Sequence, residues 1–232
     1  MPSALDHLMA ATVLFVGGHF LLSSAPLREP LVRRLGEQGF VALYSLIAIA
    51  SFVWIVEAYR AAPFVVIWTP APVFAWLPAL AMPFALLFAV AGLTGPSPTL
   101  PPGGEELWEG HDPTVGIIRV TRHPFLVGVV LWSATHLLAN GDAASIILFG
   151  GFLVLGLGGM WHIDKKKEAQ LGAAWGPILL TTSAVPFAAI LLGRTKMDWR
   201  GIGWWRPALA LAVYAALAQL HPPVLGVTAW PG

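Results

Sequence analysis

Six apolar runs, each about long enough to cross a bilayer, divide the 232-residue chain at residues 4–25, 40–61, 73–93, 124–139, 143–161 and 204–225. Roughly 20 apolar residues span a ~30 Å hydrocarbon core as an α-helix, because a helix satisfies its own backbone groups where no water can. The expected fold is therefore all-α, a polytopic transmembrane helical bundle of six spans forming a single domain over residues 1–232. A further apolar stretch, residues 178–192, is interrupted by Pro186 and too short to cross. It is expected to be re-entrant or interfacial. Pro78 and Pro83 fall within the third run and predict a kink there. The one long connection, residues 95–121, is rich in Pro and Gly at its start and acidic in its middle, a composition suited to a lid or folded loop.

The cations set the orientation. Arg28, Arg33 and Arg34 follow the first run, Arg119 and Arg122 precede the fourth, and Lys165, Lys166 and Lys167 follow the fifth. Arg194, Lys196, Arg200 and Arg206 gather at the entry to the last. An external N-terminus puts all four groups on the cytoplasmic side and leaves only Arg60 outside, which the positive-inside rule favours. Both termini are then expected to be periplasmic, in a bacterial inner membrane. The first run has neither a basic leader nor a small-residue cleavage site and is expected to stay as a helix. Trp68, Trp161, Trp204, Trp205 and Trp230 stand near span ends as interface anchors.

Composition removes several function classes. With a net charge of +1 and no basic face, direct nucleic-acid binding is not expected. With no cysteine, disulfides, thiolate-ligated haem, iron–sulfur clusters and cysteine nucleophiles are excluded.

Two of the seven histidines, His19 and His136, fall inside apolar runs. A neutral imidazole in hydrocarbon is either a hydrogen-bond partner for a neighbouring helix or an available metal ligand. At ~1.5 Å per residue, His19 lies roughly 5–7 Å to the cytoplasmic side of the first span's middle, and His136 about as far to the outer side of the fourth's. Their α-carbons are then offset by about 10–13 Å along the membrane normal, within reach of one tilted haem if the helices face each other. His123, at the cytoplasmic start of the fourth span, competes as a partner for His19. Its helical spacing from His136 sends the two side chains to different sides, so they cannot share one iron. His7, His111, His162 and His221 lie at span ends or in loops and are expected to be interfacial. Glu105, Glu106, Glu109, His111 and Asp112 have the content of a hard-metal cluster, but their spacing fits no defined site, and a solvated acidic loop is expected.

The stretches GGHFLLSSAPLREPLVRRLGEQGFVALYSL (17–46), GIIRVTRHPFLVGVVLWSATHLLANGD (116–142) and IDKKKEAQLGAAWGPILLTTSAVPFAAILLGR (163–194) resemble the NnrU family. Its members are bacterial membrane proteins associated with expression of nitrite and nitric oxide reductases in denitrifiers. The family is related to the 15-cis-ζ-carotene isomerase of plants and cyanobacteria, an integral membrane enzyme that uses haem b. The resemblance implies that His19 and His136 match the isomerase's haem ligands and that His123 matches another histidine of its set. It implies haem b as cofactor, an apolar polyene as a substrate class, and Arg28, Arg119 or Arg122 as partners for the haem propionates. The cysteine implicated in the isomerase's ligand exchange has no counterpart here. A more distant resemblance links Arg122-His123-Pro124 with Gly128, the charged segment 164–168 and TTSAVPF to the intramembrane methyltransferases of the isoprenylcysteine carboxyl methyltransferase group. That implies S-adenosylmethionine as an alternative cofactor. Phe125 and Leu126 stand where that motif carries its aromatic residue, and Glu168 alone is left of its acidic pair. A non-catalytic membrane factor for reductase maturation is the contrasting class.

Overall fold

The computed structural model describes residues 3–99 and 114–230, so the acidic stretch around Glu105 to Asp112 lies outside the described residues. The chain is all-helical. Helices α1 (Ala4–Ser23), α2 (Ala25–Ala61), α3 (Trp76–Thr94), α4 (Pro124–Ala139), α5 (Ala143–Leu171) and α9 (Trp205–Leu225) form the bundle, with α6 (Gly176–Thr181), α7 (Ala188–Leu191) and α8 (Trp199–Ile202) as short pieces between α5 and α9. Five of these helical segments are long and apolar enough to cross a membrane, and α4 is a shorter apolar helix. The protein is a multi-pass membrane bundle.

Local chemistry explains the boundaries. Ser3 caps α1 reciprocally, its hydroxyl accepting from Asp6 N and its own N–H donating to the Asp6 carboxylate. Pro26 in the first turn starts α2 immediately after Ser24. The arginine-rich segment before the second span is itself helical and meets the span at Gly36, whose φ of 73° breaks the helix where other residues would be strained. Pro78 falls in the first turn of α3, where its missing N–H matters least, leaving Pro83 as the proline inside that helix. Asp142 caps α5 by accepting from Ser145 N at 3.0 Å.

One expectation is corrected at the end of α5. The charged segment 164–168, taken as following the helix, belongs to it. With 29 residues, α5 is about 44 Å long, so its last turns project beyond a ~30 Å hydrocarbon layer and carry their charges outside. Segment 178–192 contains only α6 and α7, separated by an extended turn in which Phe187 takes a φ of 65°, and does not cross.

The bundle is assembled by neighbours in the order α2, α1, α5, α4, α3, α9. Glycines set the closest approaches: a Cβ at Gly128 would stand 2.6 Å from Ala85 O, and one at Gly92 2.7 Å from Phe125 N. At the end away from most cations, the α2–α3 and α4–α5 loops are tied by Ile67 N and Trp68 N donating to Gly141 O, and Ala143 N to Val65 O. At the basic end, Asp198 accepts from Gly116 N and Gly201 N, while Arg206 donates to Thr94 and to the carbonyls of Gly201 and Ile202. Backbone donors hold the Asp198 carboxyl below the usual carboxylate range. Outward-facing side chains such as Leu46, Ile49, Leu80 and Phe84 are exposed and apolar, as a lipid-facing surface requires.

Candidate functional site

His19 projects from α1 one turn beyond Phe15, and its Nδ1 lies 2.6 Å from Phe15 O. A carbonyl only accepts, so Nδ1 carries the proton and the Nε2 lone pair is left open. No partner for Nε2 occurs among the described residues. The ring packs against Phe15 at 4.4 Å and edge-on to Tyr44 at 5.4 Å. It lines a shallow groove with Gly18 and Leu22 of α1 and Tyr44, Ile47 and Ser51 of α2.

His136 repeats this arrangement on α4. Its Nδ1 donates to Trp132 O at 2.8 Å, and its Nε2 likewise has no partner among the described residues. The ring stacks on Phe149 of α5 at 5.0 Å. Between the two imidazoles runs a belt of rings: Phe15 to Phe152 at 5.4 Å, Phe152 to Trp132 at 5.2 Å, and Trp132 to Phe149 at 5.2 Å, with Phe52 of α2 beside Phe15.

Depth follows from α5, which runs parallel to α1. Gly151 faces Thr12, Gly158 faces Phe20, and His162 Nε2 lies 3.1 Å from Ser23 Oγ. His19 is therefore level with α5 about eight residues past Phe149, which puts the two histidines roughly 12 Å apart along the bundle. That agrees with the offset expected from span positions.

The two histidines have the form of single ligands rather than of a cluster. A ligating histidine characteristically fixes its second nitrogen by donating to a carbonyl or carboxylate, and both residues do this. No group of three or more His, Cys, Asp or Glu able to hold a metal ion occurs among the described residues. A haem iron, already held by its macrocycle, needs only one or two protein ligands. His221 on α9 makes the same bond to Leu217 O at 2.9 Å, which its position at a span end did not signal.

His123 occupies a different place. It is the N-cap of α4, with φ −119° and ψ 54°, so helical spacing does not carry back to it and it too meets α5. The separation from His136 comes from the length of α4, roughly 24 Å, rather than from opposite sides of one helix. Its Nε2 donates to Asp164 Oδ1 at 2.9 Å, and Arg122 grips the same carboxylate through Nε at 2.9 Å and Nη2 at 2.5 Å. The His123 ring is fully buried, and its Nδ1 has no hydrogen-bond partner. Burial pushes the Asp164 carboxyl up, but the bonds and charges of His123 and Arg122 outweigh it and leave it at about 2. Asp164 was missed by sequence reasoning because it was placed beyond the helix. An Arg-His pair entering α4 was the available sign that a carboxylate had to lie opposite.

The remaining arginines separate. Arg119 donates from Nε to Thr114 O at 2.6 Å. Arg28 pairs with Glu37 and stacks over Phe40, which packs against Tyr44 and so connects Arg28 to the His19 groove. The structure thus brings Arg28 towards His19 and joins Arg122 to His123, while His136 stands at the opposite end from the arginines.

Residues 7–229 match the family model described as NnrU protein. The chain is 30% identical over 126 residues to the chloroplastic 15-cis-zeta-carotene isomerase of Zea mays, covering 53% of this chain and 33% of that one. It is 36% identical over 88 residues to the protein of the same description from Arabidopsis thaliana, covering 38% of this chain and 23% of that one. The matches therefore span a third or less of those relatives' length. No solved structure matches. Matched over nearly its whole length, the chain belongs to the NnrU family.

Proposed function

We propose that the protein binds haem b through His19 and His136 in a bacterial inner membrane, its N-terminus outside and its basic end cytoplasmic, and that it performs haem-dependent redox chemistry or sensing in support of nitrite and nitric oxide reductases. The observation that carries this reading is the pair of δ-protonated imidazoles, each with an open Nε2, at the ends of one aromatic belt. An imidazole nitrogen without a partner in an apolar interior is unfavourable, and coordination removes the penalty. Bound haem would supply one-electron chemistry at its iron. The chain's own residues fix the ligand tautomers, exclude water with Phe15, Phe52, Trp132, Phe149 and Phe152, and border a shallow α1–α2 groove beside His19. Similarity to the carotene isomerases makes isomerisation of a carotenoid-like polyene the enzymatic form of the proposal.

The test is an optical spectrum, oxidised and dithionite-reduced, of protein purified in mild detergent from haem-supplemented cells. A stoichiometric low-spin spectrum is expected. His19→Ala and His136→Ala should each abolish it or convert it to a high-spin form, whereas His162→Ala, whose imidazole is held by Ser23, should leave it unchanged. Loss of haem on His162→Ala or His221→Ala with retention on His19→Ala would overturn the ligand pair. A featureless visible region after reconstitution with haemin would remove the cofactor altogether.

A further inference from the structure

Past His19, towards the basic end of α1 and α5, lies an unbalanced set of charges. Ser23 Oγ and His162 Nε2 meet at 3.1 Å, which fixes the end of α1 level with His162. Lys166 lies one turn further along α5, and Arg28 lies in the first turns of α2 just past Ser24. Lys166 stands fourteen residues beyond Phe152, a spacing that returns to within about 40° of the same helix face. It therefore sits below the aromatic belt rather than on the outside of α5.

Lys166 has no hydrogen-bond acceptor among the described residues. It is half-buried, and its charged neighbours among the described residues are Arg28, Lys167 and a single acid, Glu37. Burial, reinforced by those two cations and opposed by Glu37, holds its ammonium below the usual lysine range. Glu37 is engaged by Arg28 Nη2, and the other guanidinium donors of Arg28 have no acceptor among the described residues. Two cations converge where one exposed carboxylate answers them, an arrangement that an oxyanion from outside the protein would relieve. The ladder from His19 through Tyr44 and Phe40 to Arg28 makes this position continuous with the groove. The other two arginines expected to take part are turned elsewhere, Arg122 on Asp164 and Arg119 on Thr114 O.

We infer that Arg28 and Lys166 form an oxyanion clamp that seats the carboxylate edge of an amphipathic ligand whose apolar body lies against His19 and the aromatic belt. Resting on the haem reading, the clamp takes the haem propionates and orients the macrocycle with that edge at the basic end of the bundle. Lys166 is a positioning residue. It does not ligate the iron.

Haemin dimethyl ester tests this, because it keeps the iron and macrocycle but lacks both carboxylates. Haemin and its dimethyl ester are titrated into the full-length wild-type protein, K166Q, K166E and R28Q, with Kd and ligation state read from the Soret band. K166Q should weaken haemin binding by about tenfold. K166E should weaken it further, while the ester binds wild type and K166Q alike and every low-spin spectrum is retained. Equal weakening of haemin and ester in K166Q, or of neither, overturns the clamp while leaving the haem reading standing. Absence of a Soret band with both porphyrins in the wild type overturns the haem reading and the clamp with it.

Discussion

Asp164→Asn should destabilise the bundle by roughly 2–3 kcal/mol. The carboxylate accepts three contacts from Arg122, through Nε and Nη2, and one from His123, and the side chains of Arg122 and Asp164 are only 12% and 19% exposed. Its carboxyl, held at about 2 against an ordinary 3.8, corresponds to roughly 2.5 kcal/mol of native stabilisation at about 1.36 kcal/mol per pH unit. An asparagine keeps the shape and loses the charge, leaving the Arg122 guanidinium buried without its counter-ion. Breaking buried pairs in this way has cost about 3–5 kcal/mol elsewhere, so the lower figure is the conservative one. The sign of the pH dependence is fixed. A depressed carboxyl stabilises fully above its ordinary value near 4, and that stabilisation is lost as pH falls through about 2. Unfolding of the detergent-solubilised protein by SDS, followed by loss of helical circular dichroism, measures the difference between wild type and Asp164→Asn at pH 7. A double-mutant cycle with Arg122→Gln should return a coupling of at least about 1 kcal/mol. Equal stability of Asp164→Asn and wild type, or additivity in the cycle, would refute the reasoning that this cluster latches α4 to α5.

Further outcomes follow from particular contacts. Gly128→Ala places a Cβ 2.6 Å from Ala85 O and should cost about 1–3 kcal/mol by forcing α3 from α4, read as a lower SDS midpoint; Gly150→Ala meets nothing within 4 Å and should be near neutral. Trp132→Leu should leave the His136 hydrogen bond to the residue-132 carbonyl intact but open the belt, so haem binding should persist with a shifted Soret maximum; complete loss of haem would show that the ring itself is required. Tyr59→Phe removes the 3.1 Å contact with Ser145 Oγ beside the start of α5 and should lower stability by about 0.5–1.5 kcal/mol without altering any haem spectrum.

The apolar runs made the bundle legible because hydrocarbon admits one local solution to the backbone hydrogen-bond problem, and a run of the right length implies it. Residues 178–192 were separable from true spans on the same ground of length and proline. Charge misled the reading at helix ends. Arg28 to Arg34 and Asp164 to Lys167 were placed beyond the ends of the spans, yet both segments are helical, since a helix leaving the membrane keeps its internal hydrogen bonds while its side chains turn polar. That single error hid Asp164 and Lys166, because neither could be assigned a helix face until the helix was extended to Leu171. His19 and His136 were visible because a titratable residue within an apolar run stands out against its neighbours. Their relation to each other was less so, depending on α1 and α5 running in parallel and on which rings fill the space between them. His123 shows the converse failure, since periodicity was applied to a residue whose ψ of 54° places it outside the helix.

The two polar centres differ in one respect that bears on function. At the basic end, Asp164 sits among Arg122 and His123, so the charges there answer one another and latch α4 to α5, with His123 Nδ1 left over as a buried nitrogen without a hydrogen-bond partner. Within the bundle, His19 and His136 each use one nitrogen on their own helix and offer the other to no protein group among the described residues. A histidine retained for helix packing would be expected to bond across to a neighbouring helix, because that contact is what would repay its burial in lipid. Both instead bond back to the residue four positions earlier, which fixes the ring and presents Nε2 outward from its own helix. Leucine would pack at least as well at either position without an unsatisfied nitrogen. The combination of a locked tautomer, an open Nε2 and a shared aromatic belt is what the proposed ligation accounts for and what no contact among the described residues repays, which is why the spectrum of the two alanine variants discriminates more sharply than any measurement of stability.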